Sequence, residues 1–124
     1  LDHSGVVRAM MYPFAPDVVV AIDEAVEQKV DLLHAHESQV YEWLPYVGGY
    51  LDQVPAAPEQ RRDWLRQQLD ARMRRDADRY RDLLIARYGE QAGGAVEYAE
   101  AFEGCEYGAP LTAELIPQLF PFFG

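Results

Sequence analysis

Five side chains in this sequence combine the right types with positions at which they could do chemistry: His3, Lys29, His36, Gln39 and Glu100. His36 and Gln39 are three apart, so on a helix they share one surface. A buried imidazole needs partners for both ring nitrogens. His36 therefore reads either as a satisfied core histidine or as support for a cleft completed by other residues. Glu100 falls between Tyr98 and Phe102 in an alternating run, so all three share a strand face. A carboxylate on an apolar face needs a cation or several donors. Lys29, His36 or an arginine of the basic segment could supply it. The pair is then either a structural ion pair or a carboxylate tuned for an active site. His3, following Asp2, reads as an ordinary exposed side chain or as a group at the end of a strand that borders a cleft.

Other chemistries fit less well. His34 and His36 diverge by about 200° around a regular helix, so they cannot hold one metal ion together. Ser38 lacks the Gly-x-Ser-x-Gly context of a nucleophilic serine. Cys105 has Glu103 and Glu106 beside it, which disfavours a thiolate. No catalytic residue and no metal-ligand set is identifiable within the chain.

The elements that must position these groups centre on residues 16–43. Val18-Val19-Val20-Ala21-Ile22 is a β-branched run of the kind expected for a strand covered on both faces. Asp23 can cap a helix, and Glu24 and Glu27 suit its N-terminal dipole. Val26, Val30, Leu33, Val40 and Leu44 then form one apolar stripe with His36 on it, so His36 is expected to point inward and His34 outward. Pro45 is expected to end this helix near Leu44. A loop of Gly48, Gly49 and Pro55 leads to the strongest helix signal, residues 58–88, with Leu65, Leu69, Met73, Tyr80, Leu84 and Tyr88 inward and Trp64 and Leu83 broadening the stripe. Pro58 suits its first turn and Gly89 its end. Residues 95–103 alternate as a strand. A short helix from Thr112 and an aromatic tail close the chain.

Three of these pieces resemble one family. The segment KVDLLHAHESQVYEWLPY resembles the Lys-x-x-x-Leu-x-x-His-x-Ser-Gln helix of the PIG-L/LmbE-like N-deacetylases, through Lys29, Leu33, His36, Ser38 and Gln39. PFAPDVVVAID resembles the strand that feeds it, and YAEAFEGCEYGAPLT the closing strand and tail. The resemblance implies an α/β chain, the C-terminal part of a Rossmann-like deacetylase fold, with two to three strands and two long helices in residues 1–124. It also implies a zinc-dependent hydrolase that deacetylates N-acetylated sugars or related amides. The family's zinc ligands lie in His-Pro-Asp-Asp and His-Pro-Asp-His segments, which this sequence lacks; Asp2-His3 resembles only the tail of the second. Lys29, His36, Gln39, Glu100 and His3 are then cleft support, zinc being held by residues outside this chain. The alternative is a non-catalytic α+β interaction module that keeps the scaffold without the metal site.

Bulk properties set limits. The length fits one domain. The net charge of −10 argues against nucleic acid, because phosphates need a basic footprint. Residues 58–88 carry nine of the ten arginines against six acids, which reads as a solvated face laced with ion pairs. An anion-binding strip is the sharper reading. A single cysteine permits no intrachain disulfide and fits a reducing, cytoplasmic setting. No apolar run is long enough to span a membrane. A first residue of Leu rather than Met fits an excerpt or a processed chain, whose expected partner is the missing N-terminal part of the same protein or a second copy.

Overall fold

The computed structural model describes residues 13–105 and 107–123. His3 lies outside them. Strand β1, Val18–Ala21, is followed by a 3-10 turn, Asp23–Ala25, and helix α1, Val26–His34. A π-helical segment, Gln39–Trp43, runs directly into α2, Leu44–Gly48. After a 3-10 turn, Leu51–Gln53, come α3, Pro58–Arg79; α4, Arg81–Tyr88; α5, Glu90–Ala95; and strand β2, Ala99–Phe102. Helix α6, Ile116–Leu119, and a 3-10 turn, Pro121–Phe123, follow.

β1 and β2 pair antiparallel, with Val18 opposite Phe102, Val20 opposite Glu100 and Ala21 opposite Ala99. The β-branched residues of β1 pack on both faces. Val18, Val20 and Ile22 meet Val26, Met73 and the aromatic tail, while Val19 meets Ala77, Leu84, Val96 and Ala99. The expectation of a strand covered on both sides holds.

The Rossmann-like α/β fold implied by the resemblance does not. Among the described residues the only sheet is two-stranded and antiparallel, and it is surrounded by six α-helices. An α/β sheet of that type is built from parallel strands joined by helical crossovers. Here the chain leaves β1, runs through helices, and returns as β2 in the opposite sense, so no parallel neighbour is formed.

Both long helices are also interrupted. α1 ends at His34 rather than near Leu44, and the chain is not helical at His36 before it coils again. Pro45 does not stop the second coil. Proline lacks an N–H and its ring clashes with the carbonyl four residues back. The π-helical turn just before it, in which the Leu44 N–H reaches Gln39 O, supplies the wider spacing that lets the helix continue. Tyr80 (φ −111°, ψ 27°) separates α3 from α4. Pro58 is the first residue of α3 and Gly89 follows the last residue of α4, as their sequence positions predict. The inner stripe of this region holds: Leu65, Met73 and Leu84 are buried, and Leu69, Tyr80 and Tyr88 are half-buried. Leu83 does not join it and is exposed.

The basic face of α3 is a network of ion pairs. Arg62 bridges Glu27 at 2.9 Å and Asp31 at 2.7 Å on α1, and Arg66 bridges Glu27 and Asp70. Arg74 holds Asp70 and Glu97. Arg61 donates to Pro55 O at 3.1 Å and lies over the Tyr41 ring. Arg75 makes no such contact among the described residues. Arg75→Gln is therefore expected to leave the melting temperature unchanged, as for an isolated surface charge. Arg62→Gln and Arg74→Gln lower it measurably, because Arg62 loses two carboxylate contacts to α1 and Arg74 loses Asp70 within α3 and Glu97 beyond it. Thermal melts of the three variants at low and high salt check this, with the difference shrinking as salt screens the pairs.

Candidate functional site

A groove of about 570 Å³ opens between α1, α3 and β2. Gln28, Lys29, Leu32 and Leu33 line it from α1; Leu69, Arg72, Met73 and Asp76 line it from α3; Ala99 to Phe102 form its floor. Lys29 sits one turn into α1, which starts close behind β1, so its side chain swings across to β2 and pairs with Glu100. Both are about one-third exposed. The sequence leaves three partners open for Glu100, and the structure assigns the lysine. Burial pulls the Lys29 ammonium below its ordinary value, neighbouring Arg72 adds to the shift, and Asp76 opposes it. Direct contact with the Glu100 carboxylate acts in the same sense as Asp76.

His36 and Gln39 are not part of this site. Both are exposed. The stripe that places His36 inward assumes one continuous helix, but the break after His34 and the π-helical turn change the phase. As a result Tyr41, one residue past Val40, takes the buried position, at 1% exposure, and Leu44 faces outward. The inward histidine is His34. Its Nδ1 and the Tyr41 hydroxyl share a hydrogen bond of 2.7 Å, and burial raises the hydroxyl's pKa. The orientations expected for His34 and His36 are thus reversed. Asp23 departs from expectation too: it caps no helix, and its Oδ1 accepts from the Glu97 N–H at 2.8 Å, tying the start of α1 to the approach to β2.

Beside the groove, Tyr98 anchors the approach to β2 on α3. Its hydroxyl donates to Asp70 Oδ1 at 2.8 Å and accepts from Arg74 Nη2 at 2.5 Å. The guanidiniums of Arg66 and Arg74 lie over its ring. The Tyr98 hydroxyl, then Arg66 and Arg74, hold the Asp70 carboxyl down to about 2. A carboxyl with an ordinary value of 3.8 and a folded value of about 2 binds its proton less readily when folded. Its contribution to stability is present above the ordinary value and is lost as pH falls through about 2. An NMR titration of Asp70 should therefore show its midpoint well below that of a free aspartate, and Tyr98→Phe should move it upward.

A second hollow, of about 650 Å³, lies between Ile22, Glu24, Phe102, Leu119, Phe120 and Phe122, with Glu100 on its border too. Glu100 thus stands between two recesses, one flanked by helices and one by the aromatic tail.

Among the described residues no group of three or more His, Cys, Asp and Glu side chains is placed to hold a metal ion. The described residues do not fit a zinc site. After dialysis against zinc-free buffer, the 124-residue chain is expected to retain well under one zinc per molecule, as measured by elemental analysis. No described helix is long and apolar enough to cross a membrane.

Comparison of the chain with protein-family models, with curated proteins and with solved structures finds no match.

The groups missed in the sequence have specific causes. Arg72 is one of nine arginines in its segment, and nothing in its immediate neighbours distinguishes it. Tyr41 is hidden by the change of helical phase, for which Pro45 is the only local signal.

Proposed function

We propose that this chain is the C-terminal portion of a zinc-dependent hydrolase that deacetylates N-acetylated sugars or related amides. One observation carries the reading. Of the three stretches that resemble the N-deacetylases, two adjacent ones supply β1 and most of α1 and a distant third supplies β2, and they meet around a single groove through the Lys29–Glu100 pair. Lys29 belongs to the helix motif and Glu100 to the closing-strand motif. In this reading the pair locks α1 to β2 and shapes one wall of a cleft. His36 and Gln39, both exposed, take no part in the pair. In this reading zinc, its ligands and the catalytic base belong to the preceding sequence of the same protein, which would bear the two missing motifs. The exposed, unpaired Cys105 fits a reducing cytoplasmic setting.

The test is acetate release from an N-acetylglucosamine conjugate. The reading frame that includes this chain, expressed together with its upstream sequence and loaded with zinc, should release acetate, while residues 1–124 alone should not. Absence of acetate release by the zinc-loaded longer protein across simple N-acetylated sugars overturns the proposal.

A second reading, a non-catalytic interaction module, is favoured by one feature. Trp43, Leu44, Tyr46, Val47 and Leu51 are all exposed along the π-helical segment, α2 and the turn after it. An apolar patch of this kind marks a contact surface. The acetate assay separates the two readings.

A further inference from the structure

The hollow beside the aromatic tail has a chemistry that neither reading uses. Phe102, Phe120 and Phe122 line this 650 Å³ space, and Asp23 and Glu24 line it from the 3-10 turn after β1. The rings stand steeply to one another. Phe102 and Phe120 meet at 57° with centroids 5.6 Å apart, and Phe120 and Phe122 at 89° and 6.0 Å. Rings at such angles make a corner rather than one flat wall. Phe120 is held in place because it packs against the core cluster of Val18, Val20 and Met73. Pro121 restricts the backbone between Phe120 and Phe122. Phe122, by contrast, is 65% exposed. Its ring adds little to the core, yet it borders the hollow.

The charge of the lining is one-sided. Asp23, Glu24 and Glu100 border the hollow, and no lysine or arginine among the described residues does. The groove on the other side of Glu100 differs, because Lys29 and Arg72 balance Glu100 and Asp76 there. Glu100 pairs with Lys29, and Asp23 accepts from the Glu97 N–H. Glu24 is exposed and has no ion-pair partner among the described residues. An aromatic ring attracts a cation over its face. The neighbouring Phe123 already takes the Arg87 guanidinium in this way, at 4.4 Å. Among the described residues no cation lies over Phe102, Phe120 or Phe122. A primary ammonium against phenyl rings would lose water from its N–H groups without replacement. A fully methylated one has no such donors and offers apolar methyl groups to the rings. The volume suits a whole small molecule rather than the head of one side chain. We propose that this hollow binds a small quaternary ammonium compound, with its methyl groups against Phe102, Phe120 and Phe122 and its charge balanced by Glu24 and Asp23. The site rests on neither reading of the function.

The probe is choline chloride, titrated into the full chain and followed by NMR. The expected results are saturable shifts at the backbone amides of Ile22, Glu24 and Phe122, with magnetisation transfer from the choline methyl groups to phenylalanine ring protons. Dimethylbutanol, the neutral isostere with carbon in place of nitrogen, keeps the shape and loses the charge. It should bind at least about fivefold more weakly. Ethanolamine keeps the charge and loses the methyl groups, and should be weaker by a similar factor. Phe122→Leu, at an exposed position, should leave the melting temperature unchanged and weaken choline binding about threefold or more. Glu24→Gln should weaken choline about twofold or more at low salt and leave the neutral isostere unaffected. No saturable shift, or equal binding of the isostere or of ethanolamine, overturns the proposal. Unchanged choline affinity in either variant overturns the placement of the site. A trimethyllysine peptide that binds at least about tenfold more tightly than choline makes the occupant a protein and overturns the small-molecule class.

Discussion

Met73→Ala is expected to destabilise the protein by about 2–5 kcal/mol, the range for emptying a well-packed core site. Met73 is 2% exposed and packs with Val18, Val20, Ile22 and Val26. It lies where three elements converge, β1 from one side, the start of α1 from another and its own helix α3. Truncation removes most of the side chain and leaves a cavity whose walls are a strand and two helices, none of which can close in without disturbing the others. Domains of this size are stable by only about 5–15 kcal/mol, so one such change removes a large part of the margin. Chemical denaturation should show a lower midpoint with an unchanged slope. Met73→Leu, which roughly conserves volume, should cost less than about 1.5 kcal/mol. If Met73→Ala and Met73→Leu cost the same small amount, the convergence of β1, α1 and α3 on this side chain is not what stabilises the fold. Met73 also forms part of the groove wall, so Met73→Ala should widen the groove in any variant that remains folded.

Much of this arrangement is legible in the sequence, for identifiable reasons. The β-branched run at residues 18–22 marks a strand because both faces of it are covered. The helical spacing of Leu65, Met73 and Leu84, eight and eleven apart, marks positions that are all buried, although Met73 and Leu84 pack in different clusters on either side of the turn at Tyr80. Glu100 reads as a carboxylate in need of a partner because alternation places it between aromatic neighbours, and Lys29 does serve it. What fails is extrapolation across interruptions. His36 is placed inward only if the helix that begins after β1 continues to Leu44. A break after His34 and a π-helical turn before Pro45 change the phase, and His34 and Tyr41 take the inward roles. Periodicity carries information only as far as the coil is regular.

The fold class fails for a different reason. A resemblance confined to three short stretches reports on local elements, a strand, a helix and a second strand, and these form approximately where expected. It does not report the direction in which two strands pair, because side chains alternate in the same way in parallel and antiparallel ladders. The antiparallel pairing of Val20 with Glu100 is a long-range fact with no local signature in residues 18–22 or 98–102. The ion-pair network of α3 is intermediate: the excess of arginine is visible in the sequence, but which carboxylates across the fold receive Arg62 and Arg66 depends on how α1 packs.

Gly93→Ala is expected to destabilise by about 1–3 kcal/mol or more through overpacking, although alanine favours helices more than glycine does. On an exposed helix the same substitution would stabilise. Gly93 lies in α5, whose backbone presses directly on α4. A methyl group built there meets Leu84 O at 2.5 Å and Ile85 Cα and N at 2.6 Å each, all backbone atoms that no rotamer change can move. The two helices would have to separate. Separation also pulls on Arg81, whose Nη1 donates to Gly93 O at 3.0 Å and Val96 O at 2.6 Å and so holds the end of α5 to the start of α4. Leu84, fully buried against Val19 and Ala99, would lose contacts as α4 shifts. Gly94 provides the internal control, because a methyl group there meets no atom within 4 Å. Gly94→Ala should be neutral or slightly stabilising, in line with helix propensity, while Gly93→Ala unfolds at a clearly lower denaturant concentration. Equal midpoints for the two variants would mean that α4 and α5 are not in backbone contact and that the seam between them is looser than described.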